Sequence, residues 1–335
     1  MSHKINRKAG LFLFLLVFAV LLTSHAQNSV DVPIGPNDTL IVKGLDLQLS
    51  FTKALGNNLK IYGLDSGSQP GTYHAERKGN QILITMAEPN SKRDWKAVLA
   101  QKMFKKKVIE FRGPSLPVEI YVREAQININ QWQHKVEAHL VSGKIISNQS
   151  RDLNFSIQKG DATVVDSQGT IKAKVTQGQL TFKNDNFDAD IQLQSGQLVL
   201  EKTKGNWDIN THNASVKAIQ SEGVLQLDNQ KGLFNISKFK GRVDGQLRDG
   251  NINLSVLNDS DVNLKSKSGK MQIQVPQGGG AFLNLLSAEG DLYLPGDLKA
   301  NRGGSEKSYR GRLRGESQKV SVTARSQEGI IILKY

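Results

Sequence analysis

The chain contains no cysteine in its 335 residues. That excludes disulfide staples, thiolate metal sites and a lipid-modified N-terminal cysteine, so the fold must be held by its core alone. Aromatic residues are scarce at 6%, too few to line an aromatic sugar cleft of the kind a polysaccharide-cleaving β-helix enzyme uses. Long apolar runs are also missing, apart from the twelve residues from Leu11 to Leu22. That length falls short of the ~20 residues a spanning helix needs. With Lys4, Arg7 and Lys8 before it and Ser24 and Ala26 after it, the run reads as the core of a secretory signal peptide occupying residues 1–26. The protein is therefore expected to be exported: periplasmic, associated with the outer envelope, or secreted.

Removing residues 1–26 takes away three basic residues and no acid, which leaves 41 Lys and Arg against 31 Asp and Glu. A mature net charge of about +10 favours polyanionic partners, of which anionic lipid and acidic polysaccharide lie nearest an exported protein. Nucleic acid is not expected as a partner.

What is abundant is glycine, 31 residues, and it is periodic. In "KGDATVVDSQGTIKAKVTQGQLTFKND" glycine stands at 160, 169 and 178. Continuing in steps of nine to position 259, nine of the twelve positions are glycine, the exceptions being Phe187, Ala214 and Asp259. One residue is then inserted and the pattern resumes at Gly269. Two residues after the first eleven positions stand Ala162, Ile171, Leu180, Ala189, Leu198, Trp207, Val216, Leu225, Phe234, Val243 and Ile252, all apolar. Four residues after them only Gly245 breaks an apolar series that runs from Val164 and Ala173 to Leu254.

Apolar and polar residues alternating over about five positions make a short strand with one buried face. The remaining four or so supply a corner, where glycine reaches φ > 0 without steric cost. Equal units that cannot enclose a core singly must stack. The expected fold is all-β: a β-solenoid, or parallel β-helix, of nine-residue units with about eighteen residues per coil. An antiparallel meander would show more Asn-Gly and Asp-Gly turns; Asp249-Gly250 is one instance. An outer-membrane barrel needs strands of ~9–11 residues with a lipid-facing row. A calcium-binding nonapeptide roll would carry G-G-x-G-x-D, which is missing.

Residues 27–140 read as an N-terminal β region leading into the repeat, 141–276 as the regular solenoid and 277–335 as C-terminal coils and a cap. The N-terminal region contains the one helical pattern, at 91–107, with Trp95, Val98, Leu99 and Met103 on one side. Lys92, Arg93, Lys96, Lys102, Lys105, Lys106 and Lys107 crowd its other surfaces and are the candidate polyanion-binding residues. A polar loop near the C-terminus holds Lys299, Arg302, Lys307, Arg310, Arg312 and Arg314.

Several stretches carry a resemblance: "GPSLPVEIYVREAQININ" ahead of the repeat, the series "SGKI", "QGTI", "SGQL", "EGVL" and "SGKM", and the closing "YRGRLRGESQKVSVTARSQEGIIILKY". Together they resemble the bacterial putative adhesin family, also described as the head-GIN type, over most of the chain from Val30 onward. The resemblance implies an exported or membrane-tethered β-solenoid. The family offers no catalytic residues to carry over, and the lysine-rich helix departs from its pattern.

No catalytic constellation, metal site or cofactor is expected. His74, His134, His139 and His212 form no metal-binding spacing, and His134 and His139, five apart in an expected strand, should face opposite sides. Asp188 and Asp190 should share one outer strand face. The functional expectation is a non-catalytic envelope scaffold or binding module that presents solenoid faces, among them Asp188, Asp190 and Asp208, to a protein or glycan. The alternative is polyanion binding through the lysine-rich segment; a polysaccharide-active enzyme ranks behind both.

Overall fold

The computed structural model describes residues 29–65, 72–86, 107–278, 280–313, 315 and 318–335. Its 22 strands build a solenoid, and no helix occurs among the described residues. The helix expected at 91–107 lies outside them except for Lys107, which opens the strand Lys107–Gly113.

The coil has the expected length. Gln168 pairs in parallel with Asn186, Asn186 with Lys204 and Lys204 with Glu222, a step of eighteen each time. The same step joins Val118 to Val136, one of seventeen joins Val136 to Leu153, and one of nineteen joins Arg242 to Asp261, where the sequence carries its inserted residue. In the most regular part of the rod each turn is one long bent strand, such as Gln168–Lys183 or Asn186–Glu201, that contains both nine-residue units, whereas nearer the C-terminal end a turn is split in two, as in Ser260–Ser266 and Lys270–Gln274.

All eleven apolar residues two places after the repeat positions are buried, from Leu180 at 0% to Ala189 at 8%. Along the rod they form continuous columns, for example Leu180–Leu198–Val216–Phe234–Ile252–Met271. Phe187, at a position where the repeat would place glycine, turns inward and packs against Phe182 and Trp207 with ring centroids 5.1 and 6.3 Å away. At the N-terminal end, Phe51 stacks on Phe111 at 4.7 Å and meets Trp132 edge-on at 5.7 Å. The Trp132 indole donates to the Leu116 carbonyl at 2.8 Å, so this large buried ring leaves no orphaned donor.

The glycines do more than turn corners. The left-handed backbone is also adopted three residues before alternate glycine positions by Asp166, Asn184, Lys202, Gln220 and Lys238, at φ values near 54°. What demands glycine is the stacking: a Cβ on Gly178 would stand 1.7 Å from the carbonyl oxygen of Gly160 in the coil below. The period of nine therefore marks two glycine columns, one running through Gly160, Gly178 and Gly196 and the other through Gly205, Gly223 and Gly241.

Register is fixed by side chains that reach across one coil. Asp161 Oδ1 accepts the backbone N–H of Gln179 at 2.9 Å, Asp188 that of Asn206 at 2.8 Å and Asn251 that of Lys270 at 2.8 Å. Each acceptor stands just past a repeat position.

Both ends depart from sequential stacking. Thr39–Lys53 lies between the coil Val118–Asn130 and an outer layer made of Gln81–Met86 and Lys107–Gly113. At the other end the final strands, Gln318–Ser326 and Ile330–Lys334, sit between the layer of Ser260–Ser266 and Lys270–Gln274 and the layer of Gly280–Ser287 and Leu292–Tyr293. Antiparallel strands then cover the outermost edges: Tyr73–Lys78 and Asn58–Tyr62 at one end, Glu306–Leu313 at the other. Parallel strand addition stops where direction reverses. Part of the basic loop expected near the C-terminus is thus a hairpin, with Arg302 in Asn301–Gly303 and Lys307, Arg310 and Arg312 in Glu306–Leu313. Lys299 lies outside any strand, and Arg314 lies outside the described residues.

Candidate functional site

With the core sealed, chemistry falls to the outer faces. One of them collects carboxylates. Register places Lys172, Asp190, Asp208, Gln226, Asp244 and Asn263 in one exterior column, and Asp188, Asp228 and Asp261 occupy the columns beside it. Asp188, Asp190 and Asp208 line a shallow groove of about 270 Å³ with Asn206 and Lys172. A second groove of about 340 Å³ continues over Asp228, Asp244 and Lys265.

These carboxylates are not equivalent. Asp188 accepts from both the backbone and the side-chain nitrogen of Asn206, at 2.8 and 2.9 Å, and so is a register staple. Asp244 is held by Arg242 at 2.6 Å. Asp190 and Asp208 are directly paired neighbours on adjacent strands, exposed, and carry no hydrogen bond or ion pair to any described residue. Among the described residues no group of three His, Asp or Glu side chains is arranged to hold a metal ion. We therefore expect Asp188→Ala to cost roughly 1 kcal/mol of stability, the worth of a charge-assisted bond to an exposed N–H, and Asp190→Ala to cost almost nothing. Chemical denaturation of the two variants separates staple from free surface; equal losses would contradict it.

Of the lysine-rich candidates, Lys92, Arg93, Lys96, Lys102, Lys105 and Lys106 lie outside the described residues. Lys107 is described, and its ammonium is engaged with Asp65 Oδ1 at 2.5 Å. His139 lies in the strand Val136–Asn148, whereas His134 precedes it in a corner, so the two do not share a strand as expected. Asp185, close to Asp188 in sequence, is 1% exposed and belongs to the interior.

A capped rod of eighteen-residue coils with polar outer faces defines this chain as a β-solenoid repeat protein. It belongs to the Toastrack DUF4097 family, whose model matches residues 56–333. Two solved structures are similar. A putative cell adhesion protein from Clostridium sporogenes aligns over 92% of this chain and 99% of its own at 10% identity and a TM-score of 0.20. A putative adhesin from Bacteroides fragilis aligns over 92% and 98% at 11% identity and a TM-score of 0.23. No curated protein matches the chain.

Proposed function

We propose that this protein is a non-catalytic, exported, adhesin-like scaffold of the cell envelope, which holds a partner on the outer faces of a rigid rod. The observation that carries this reading is the unbroken exterior. From Val118 to Gln274 the coils carry no long insertion that could wall off a cleft, so what the rod offers is extended, regularly spaced surface. About thirteen layers at the ~4.8 Å spacing of paired strands make it roughly 60 Å long. The apolar segment at residues 11–22 supports export.

The test is capture from fractionated cell envelope by the mature protein at low and high salt. Asp190→Asn with Asp208→Asn should weaken capture of a partner held by the carboxylate face while the melting temperature stays unchanged. Asp188 is left intact because its loss would confound folding with binding. Capture that is abolished by salt, and by glutamine at Lys105, Lys106 and Lys107, would instead assign function to polyanion binding through the lysine-rich segment. No capture under any condition would sink the scaffold reading.

A further inference from the structure

On the same broad face as the carboxylates, toward the N-terminal end, one exterior column runs Lys43, Tyr121, His139, Ser156, Lys174. Tyr121 and His139 are stacked with ring centroids 5.0 Å apart and planes within 6° of parallel. The Lys43 ammonium stands 6.0 Å from the Tyr121 ring centre, so one face of the tyrosine is covered by a cation and the other by the imidazole. The stack then stops: the next residue in register beyond His139 is a serine. The outer face of the imidazole looks along the rod over Ser156 toward Lys174, two coils on.

Two coil steps amount to about 9.6 Å. A ring in van der Waals contact with the imidazole takes about 3.5–4 Å of that, and a second contact to the Lys174 stem takes a similar amount. The space admits one ring and not two. Its floor is Ser156; one wall is Glu137 and Asn154, paired in register, and the other carries Val141, which is 47% exposed. Neither Ser156 nor Asn154 makes a side-chain hydrogen bond to a described residue. Both rings are locked from the side: Tyr121 donates to Glu119 Oε2 at 3.2 Å and His139 Nε2 lies 3.0 Å from Glu137 Oε1. Lys135 also donates to Glu137, at 2.7 Å.

The geometry points to a binding site for a neutral glycan, with one sugar ring continuing the stack on His139 above Ser156. A pyranose has an apolar face of C–H groups and a rim of hydroxyls. Here the apolar face meets the imidazole and Val141, and the hydroxyls meet Glu137, Asn154 and Ser156. Lys43, Lys135 and Lys174 exceed Glu119 and Glu137 by a single charge, an excess that disfavours a cationic peptide and is too small to draw a polyanion. A protein partner would want a wider apolar centre than one ring slot supplies. This inference rests on the scaffold reading and names a partner class for it.

The test titrates the mature protein with three neutral oligosaccharides, cellotetraose, maltotetraose and the tetramer of N-acetylglucosamine, following the His139 imidazole resonances by NMR. At least one should shift them. Ser156→Trp, which fills the slot with the protein's own ring and leaves Tyr121 and His139 in place, should weaken binding about tenfold or more, as should His139→Ala. Two outcomes overturn the site: none of the three sugars binds, or binding persists in Ser156→Trp. The wider scaffold reading is scored separately, by envelope capture with Ser156→Trp alongside the wild type. Capture that Ser156→Trp leaves intact removes the glycan site and keeps the scaffold, whereas absence of capture by the wild type removes the scaffold.

Discussion

Gly196→Ala should lower stability by about 3–5 kcal/mol, while Gly56→Ala should lower it by only about 1 kcal/mol. The two glycines have nearly the same backbone angle, φ of 124° and 123°, so the cost of holding alanine in a left-handed conformation is common to both. They differ in what lies above the Cα. A Cβ on Gly196 would stand 1.9 Å from the carbonyl oxygen of Gly178 and 2.9 Å from its carbonyl carbon, whereas a Cβ on Gly56 meets nothing within 4 Å. Neither of those clashing atoms belongs to a side chain that could swing away; relief requires the coils to separate, which breaks ladder hydrogen bonds on both sides. Because each coil contacts only its neighbours, the damage should begin in the coils around 178–214 and spread outward. Denaturant unfolding of the two variants beside the wild type measures the difference. Equal losses would mean that backbone angle alone, and not close stacking, selects glycine in the columns.

That contrast also explains what the sequence could and could not convey. The period of nine is visible because the clash recurs at most coil edges, and the inward columns are visible because each unit contributes the same two apolar places. Even Gly245, the single break in the second series, has a physical account: Leu264 of the next coil occupies the space, coming within 2.7 Å of where its Cβ would be. The ends were not legible. Placing Thr39–Lys53 between residues 107–113 and 118–130, or the last strands between 260–274 and 280–293, depends on pairings about forty to eighty residues apart that no local pattern encodes. Nor could spacing separate Asp188 from Asp190. Both face outward, and only the neighbouring coil decides that one staples Asn206 while the other is free. The pairing of Tyr121 with His139 was hidden for the same reason: eighteen residues apart in the chain, the two are adjacent only once the coil length is known.

Asp185→Asn should raise stability at about pH 8 by roughly 2–4 kcal/mol and leave it nearly unchanged at about pH 4. Asp185 sits in an interior corner column of hydroxyls, Ser150, Ser167, Thr203 and Ser221, at 1% exposure. One carboxyl oxygen accepts the Ser167 backbone N–H at 2.6 Å; the other has no hydrogen-bond partner. The hydroxyl protons of the column are committed elsewhere, Ser167 to the Val165 carbonyl, Thr203 to Ser221, and Ser221 to the Ile219 carbonyl. Burial therefore dominates and pushes the carboxyl up from 3.8 to about 7; the backbone N–H groups of Ser167 and Lys183 oppose the rise and the charge of Asp166 adds to it. In the unfolded chain the group returns to its ordinary value, so between pH 3.8 and about 7 the folded state binds more protons than the unfolded one. Its contribution is thus intact below that window, declines as pH rises through it and is lost above it, with a ceiling of about 4 kcal/mol for a shift of about three units. Asparagine keeps the acceptor for Ser167 and is uncharged at every pH, so the variant should escape the loss. Denaturant midpoints across this range supply the measurement: a stability difference that opens with rising pH supports a buried, protonated Asp185, and a difference that is flat or opens toward acid refutes it.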